Sequence, residues 1–145
     1  MNEWTTVELN RINYLTNEID AVYHEAARKL HLSDSALLVL YTICNHGDGC
    51  LLHDICRLSG ASKQTINSAL RKLEAESIVY LKTFEGKKKK VYLTEKGRKI
   101  AENTALRLIE IENDIIHSWS EAEQQIYMEL TQRYLTSFRE RIKEL

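Results

Sequence analysis

Near the start of the chain, apolar residues recur at steps of three and four: Ile12, Leu15, Ile19, Val22, Tyr23, Ala26, Ala27 and Leu30. That spacing predicts a helix with one apolar stripe. Towards the other end, Ile100, Ala101, Ala105, Leu108, Ile109, Ile115 and Ile116 repeat the pattern and predict a long helix, with Thr94 as its N-cap in the stretch TEKG. Ser118 and Ser120 flank Trp119 and predict a break. Ser120 then caps a further helix, with Glu123 three residues on, and Ile126, Leu130, Tyr134, Leu135, Phe138 and Ile142 form its stripe. Helices of this length cannot bury their stripes against so short a middle, so the two ends are expected to pack on each other and on a second chain.

The middle has a different rhythm. Ser33 caps a helix carrying Leu37, Leu40, Tyr41 and Cys44 on one face, and Gly47 and Gly49 end it. A short helix follows over about Leu52 to Leu58, the sequence SGA turns the chain, and Ser62 caps a helix whose inward positions are Ile66, Ala69, Leu70 and Leu73. Two helices joined through a short glycine-containing turn make a helix-turn-helix. After it, SIVYLKTF and KKKKVYL alternate as strands, with Glu85-Gly86 as a tight turn between them. The chain has no proline, and its five glycines all lie between Gly47 and Gly97, so turns are confined to this region. The expected fold class is mainly α with a small β wing (α+β): a winged helix-turn-helix with long N- and C-terminal dimerisation helices. A length of 145 residues suits one domain, 1–145.

Charge sharpens this picture. The formal net charge is −1, yet residues 62–99 hold eleven basic and four acidic side chains, a local +7 against −8 elsewhere. A polyanion would be drawn to one part of the surface only. The longest apolar run, Ala36 to Tyr41, is too short to span a bilayer, so no membrane partner is expected. Glu3 and Glu8 stand where an export signal would carry positive charge, which points to the cytoplasm. With three cysteines and no export signal, the thiols are expected to be reduced.

The second helix of the motif carries its own chemistry. With its apolar side turned inward, Ser62, Lys63, Gln64, Thr65, Asn67, Ser68 and Arg71 line the outward side and the N-terminus. Gln and Asn can pair bidentately with adenine, Arg with guanine, and Lys63 suits a phosphate. The unpaired N–H groups of the first turn add a phosphate contact at the positive end of the helix dipole. No acid occurs between Ser62 and Glu74, so this is the expected DNA-reading face.

At this point the sequence resembles the MarR family of winged-helix transcriptional regulators. The resemblance rests on SGASKQTINSALRKLE (Ser59–Glu74), VYLTEKGRKI (Val91–Ile100) and LSDSALLVLYTI (Leu32–Ile43), and on their order and spacing along the chain. It implies dimerisation helices over 1–31 and 95–145, a DNA-binding part over 32–94, and a homodimer on a pseudo-palindromic double-stranded operator. It also implies repression relieved by a small molecule, an oxidant or a metal, no cofactor, and a small-molecule effector as a candidate partner whose site residues are unknown. Relatives commonly have a pocket between the dimer helices and the winged helix, where Tyr23 or Tyr41 would stand. Two departures are visible. The wing loop is short and offers Lys87, Lys88, Lys89 and Lys90 in place of an arginine, which favours phosphate contact over minor-groove reading. Ser77 replaces the glycine expected after the recognition helix, so that helix end is expected to be shaped differently.

The stretch CNHGDGCLLHDIC, Cys44 to Cys56, gathers all three cysteines with His46 and His53. Zinc needs three or four ligands converging, usually with pairs spaced C-x₂₋₄-C, whereas the cysteines here run C-x₅-C-x₅-C. Cys44 and Cys56 fall on apolar positions and read as small core residues. Cys50, placed between turn and helix and expected to be exposed, is the redox candidate. No nucleophile–base–orienter set or phosphate loop argues for an enzyme. Two alternatives stay open: a winged-helix protein–protein interaction module, and a metal or thiol sensor using the Cys44–Cys56 run.

Overall fold

The computed structural model describes residues 3–145, so the first two residues of the expected 1–31 segment lie outside the described residues. The helices are α1 (Val7–Lys29), α2 (Asp34–His46), α3 (Leu52–Ser59), α4 (Lys63–Ala75), α5 (Glu95–Asn103), α6 (Ala105–His117) and α7 (Glu121–Arg141). The strands are β1 (Cys50–Leu51), β2 (Val79–Phe84) and β3 (Lys88–Leu93). The architecture is mainly helical with a three-stranded antiparallel sheet in the order β1-β3-β2. One compact unit ends at Leu108; a second runs from Ile109 to Leu145.

Local chemistry explains where the helices start. Thr6, Ser33, Ser62, Thr94 and Ser120 each accept the N–H three residues on, supplying a partner that a first helical turn lacks. At Ser120 the bond is reciprocal, because Glu123 accepts the Ser120 N–H at 2.9 Å. That bond and the Ser120 hydroxyl hold the Glu123 carboxyl below its ordinary pKa.

The core of the first unit is the winged helix. Val39, Leu40, Ile43, Ile55, Ile66, Val79 and Val91 are fully buried, drawn from α2, α3, α4 and both long strands. Gly97 makes that packing close. Its Cα approaches the backbone of Ile78 so tightly that a Cβ would lie 1.9 Å from the Ile78 carbonyl oxygen. The Thr94 hydroxyl donates to Ser77 O at 2.5 Å, and Thr94 N donates to Ile78 O at 3.0 Å, so the start of α5 is tied to the chain leaving α4.

Four sequence expectations change. The single helix expected after Thr94 breaks at Thr104 (φ −129°, ψ −90°), whose hydroxyl donates to Ile100 O at 2.6 Å; Asn103 and Thr104 are weak helix formers whose side chains compete for backbone groups. The wing gains a third strand, Cys50–Leu51, paired with Val91 and Lys90, which at two residues is too short to show a period. The wing turn has three residues, since Phe84 pairs with Lys88, with Glu85 (φ 43°) and Gly86 (φ 69°) both left-handed. Ser77 keeps a left-handed φ of 59°, so serine occupies the glycine-like conformation instead of reshaping the helix end.

Candidate nucleic-acid interface

The turn of the helix-turn-helix is built from small residues. Gly60 is left-handed (φ 70°) and ends α3, while the Ser59 hydroxyl accepts Ala61 N at 3.2 Å and so stiffens the turn. Ser62 then caps α4: its Oγ accepts Thr65 N at 3.1 Å and donates to Thr65 Oγ1 at 2.8 Å. The Ser62 hydroxyl is therefore engaged within the protein. Its Thr65 partner retains a hydroxyl proton to donate outward.

The α4 faces divide as its pattern demands. Ile66, Ala69, Leu70 and Leu73 are buried, whereas Lys63, Gln64, Thr65, Ser68 and Arg71 are exposed and Asn67 is half-buried. Unlike α1, α2, α3, α5 and α7, this helix has no acid in its first turn, so its positive end stays open to an external anion.

On the wing, Lys87 stands in the turn and Lys88, Lys89 and Lys90 lie along β3. Strand alternation separates them. Lys88 and Lys90 share the outer face with Tyr92, while Lys89 shares the parity of the buried Val91. One residue escaped the sequence reading: Lys82 lies directly opposite Lys90 on the outer face. The period-two run Tyr80, Lys82, Phe84 was its available signal.

The cysteine run resolves differently from expectation at Cys50, which is buried at 9% exposure as part of β1 rather than exposed. Pairing with the buried Val91 brings it into the core cluster. Burial, then the Asp54 carboxylate, push its thiol above the ordinary pKa. Cys44 is half-buried and likewise raised, by burial and then by Asp48; Cys56 is half-buried against the core. Among the described residues no group of three or more His, Cys, Asp or Glu side chains is placed to hold a metal ion.

A cavity of about 420 Å³ opens between α1, α2 and the start of α6. Leu37, Leu38 and Leu108 form apolar walls, Tyr23 and Tyr41 line it, and Asp20, His24 and Asp34 bring polar groups. His24 Nδ1 lies 2.5 Å from Asp34 Oδ2, joining α1 to the first turn of α2. Neither acid nor histidine at this cavity was marked by the sequence, because the two helices meet only in the fold. Among the described residues, no helix is long and apolar enough to cross a membrane.

Residues 31–90 match the MarR family model. No curated protein matches the chain. Among solved structures, a MarR family regulator from Neisseria meningitidis superposes with a TM-score of 0.83 at 18% identity, covering 96% of this chain and 99% of that one. Staphylococcus aureus MepR in its DNA-binding conformation gives 0.76 at 19% identity over 92% and 99% of the two chains. The MepR–DNA complex gives 0.66 at 22% over 94% and 99%. At these identities the likeness establishes the fold. Over 31–90, the stretch that holds the helix-turn-helix and most of the wing, the chain thus matches the MarR family model, and it has the fold of solved MarR family transcriptional regulators.

Proposed function

We propose that the protein is a sequence-specific double-stranded DNA-binding transcriptional regulator, a repressor that binds a pseudo-palindromic operator in the cytoplasm as a homodimer and has no enzymatic role. The observation that carries this reading is the outward face of α4, where Lys63, Gln64, Asn67, Ser68 and Arg71 stand around an acid-free helix start beside a constrained turn. Arg71, Gln64 and Asn67 read base edges; Lys63, the first-turn N–H groups and Lys87 to Lys90 hold phosphates. The MepR–DNA complex, a structure of the same fold, supports DNA as the partner.

Homodimerisation has separate support. In α1, Val7, Ile12, Leu15, Ile19 and Val22 are exposed, and α7 has no buried residue while exposing Ile126, Tyr127, Met128, Leu130, Tyr134 and Phe138. Apolar faces this extensive require cover, and a second copy supplies a surface of identical chemistry. The effector site we assign is the cavity between α1 and α2, which has the mixed apolar and polar lining of a small-molecule pocket. Its ligand would act on α2, the helix that packs against α4.

The test is selection of duplexes from a random pool by the purified protein, repeated with candidate effectors. Enrichment of one inverted-repeat motif, lost in Arg71→Ala and Asn67→Ala proteins, is the expected result. A pool that emerges without sequence preference would overturn the reading in favour of a protein-binding winged helix.

A further inference from the structure

The cavity between α1 and α2 is assembled by helical period from both sides. Asp20, Tyr23 and His24 stand three and four residues apart on α1, and Asp34, Leu37, Leu38 and Tyr41 follow the same steps on α2, so each helix turns one face to the space between them. Leu108 of α6 adds a third apolar wall, and the volume of about 420 Å³ suits a small organic molecule.

The polar residues set the charge of that molecule. Two carboxylates, Asp20 and Asp34, line the cavity, and no lysine or arginine does. Among the described residues Asp20 has no hydrogen-bond or ion-pair partner. Lys29, further along α1, is paired with Glu25 at 3.3 Å and lies outside the lining. An anionic ligand would face both carboxylates without a fixed counter-charge. A cation is attracted by both, and by the electron-rich faces of tyrosine rings such as Tyr23 and Tyr41 supply.

One bond already occupies this site. An ionised carboxylate only accepts, so His24 Nδ1 donates to Asp34 Oδ2 at 2.5 Å and fastens α1 to the first turn of α2. The two side chains are 74% and 59% exposed, so the bond lies where an entering ligand meets it, and water weakens it. A cation carried on an apolar body has what the histidine lacks: area buried against Leu37, Leu38 and Leu108 adds to its attraction for Asp34.

We infer that the cavity takes an organic cation, an ammonium or related group on an apolar body, whose charge replaces His24 at Asp34 and so unfastens α1 from α2. The inference rests on the effector site proposed above and supplies the chemical class of its ligand and the bond through which it acts. His24 is then a competitor of the ligand and not one of its contacts. Freed at its first turn, α2 passes the change to α4, against which it packs.

The experiment is isothermal titration calorimetry of the full chain with 4-phenylbutylammonium and with 4-phenylbutyrate, which carry the same apolar body and opposite charges. The ammonium compound is expected to bind more tightly by at least about tenfold. Asp20→Asn and Asp34→Asn are each expected to weaken its binding several-fold without weakening that of the carboxylate compound. His24→Ala removes the competitor and is expected to tighten ammonium binding, the opposite of what loss of a lining contact does. In a parallel measurement of duplex DNA binding by fluorescence anisotropy, saturating ammonium compound is expected to lower affinity several-fold, and His24→Ala to lower it without any ligand.

Equal or tighter binding of 4-phenylbutyrate would overturn the inference and leave the cavity as an effector site for anions. Ammonium binding that Asp20→Asn and Asp34→Asn leave unchanged, or that His24→Ala weakens, would overturn it too. So would a duplex affinity that neither the ammonium compound nor His24→Ala moves. Binding of neither compound would remove the effector assignment together with the inference, while duplex binding by the same sample decides the DNA-binding reading independently.

Discussion

Asp48 Oδ2 lies 2.6 Å from the Arg98 guanidinium, tying the turn after α2 to the first turn of α5. The same carboxylate does more through its other oxygen: Oδ1 accepts Leu93 N at 2.8 Å and Gly49 N at 3.1 Å. One side chain thus joins the end of α2, the last residue of β3 and α5. Because α2 also lines the cavity through Asp34, Leu37, Leu38 and Tyr41, this helix links the proposed effector site to the base of the wing.

The two halves of that contact differ in weight. The Arg98 side chain is 62% exposed, so solvent screens the ion pair and Arg98→Ala is expected to cost no more than about 0.5 kcal/mol. Asp48→Ala also strips Leu93 N of its acceptor, while Gly49 N keeps the Val91 carbonyl, and is expected to cost about 1.5 kcal/mol. Urea unfolding of both variants checks the order; equal losses would show that the ion pair, not the backbone bonds, dominates.

Gly97 and Gly86 are glycines for opposite reasons. Alanine at Gly97 would force a methyl into the Ile78 carbonyl, where neither backbone segment can withdraw, and is expected to cost about 3 kcal/mol or more. Alanine at Gly86 meets no atom within 4 Å and suffers only from its left-handed φ of 69°, a cost of about 1 kcal/mol. Thermal denaturation should separate the two by many degrees.

Ser77 holds a left-handed conformation that disfavours a Cβ. Its backbone carbonyl, not its side chain, accepts the bond from Thr94, so glycine retains that contact. Ser77→Gly is therefore expected to stabilise the protein by about 0.5 kcal/mol, the relief of strain exceeding the added chain entropy. A denaturation midpoint at or below that of the unaltered protein would contradict this.

Burial raises the Cys44 and Cys50 thiol pKa values in the folded state. Below the ordinary thiol pKa both folded and unfolded chains hold these protons, and the thiols add no pH dependence. As pH rises through that value the unfolded chain ionises first, so their contribution to stability falls with further alkalinity until the folded thiols titrate too. Stability measured by urea across alkaline pH should decline less in a Cys44→Ala, Cys50→Ala protein. At neutral pH, alkylation of the buried Cys50 should be much slower in the folded protein than in urea.

The caps and faces of this protein were legible in the order of its residues. Ser33, Ser62, Thr94 and Ser120 start helices because a side-chain oxygen three residues before an N–H is a local relation. The α4 faces likewise follow from a 3.6-residue period, which is why its inward and outward residues could be named from the chain. What the order of residues did not settle depends on distant segments meeting. Cys50 is buried because a two-residue strand pairs with Val91, forty-one positions away. Lys82 faces Lys90 only because β2 and β3 pair in that register. The cavity forms only where α1 and α2 come together, with His24 meeting Asp34 at its edge. Periodicity states which side of an element is apolar; tertiary packing alone decides what faces it, and pairing, burial and charge repulsion all arise from that second choice.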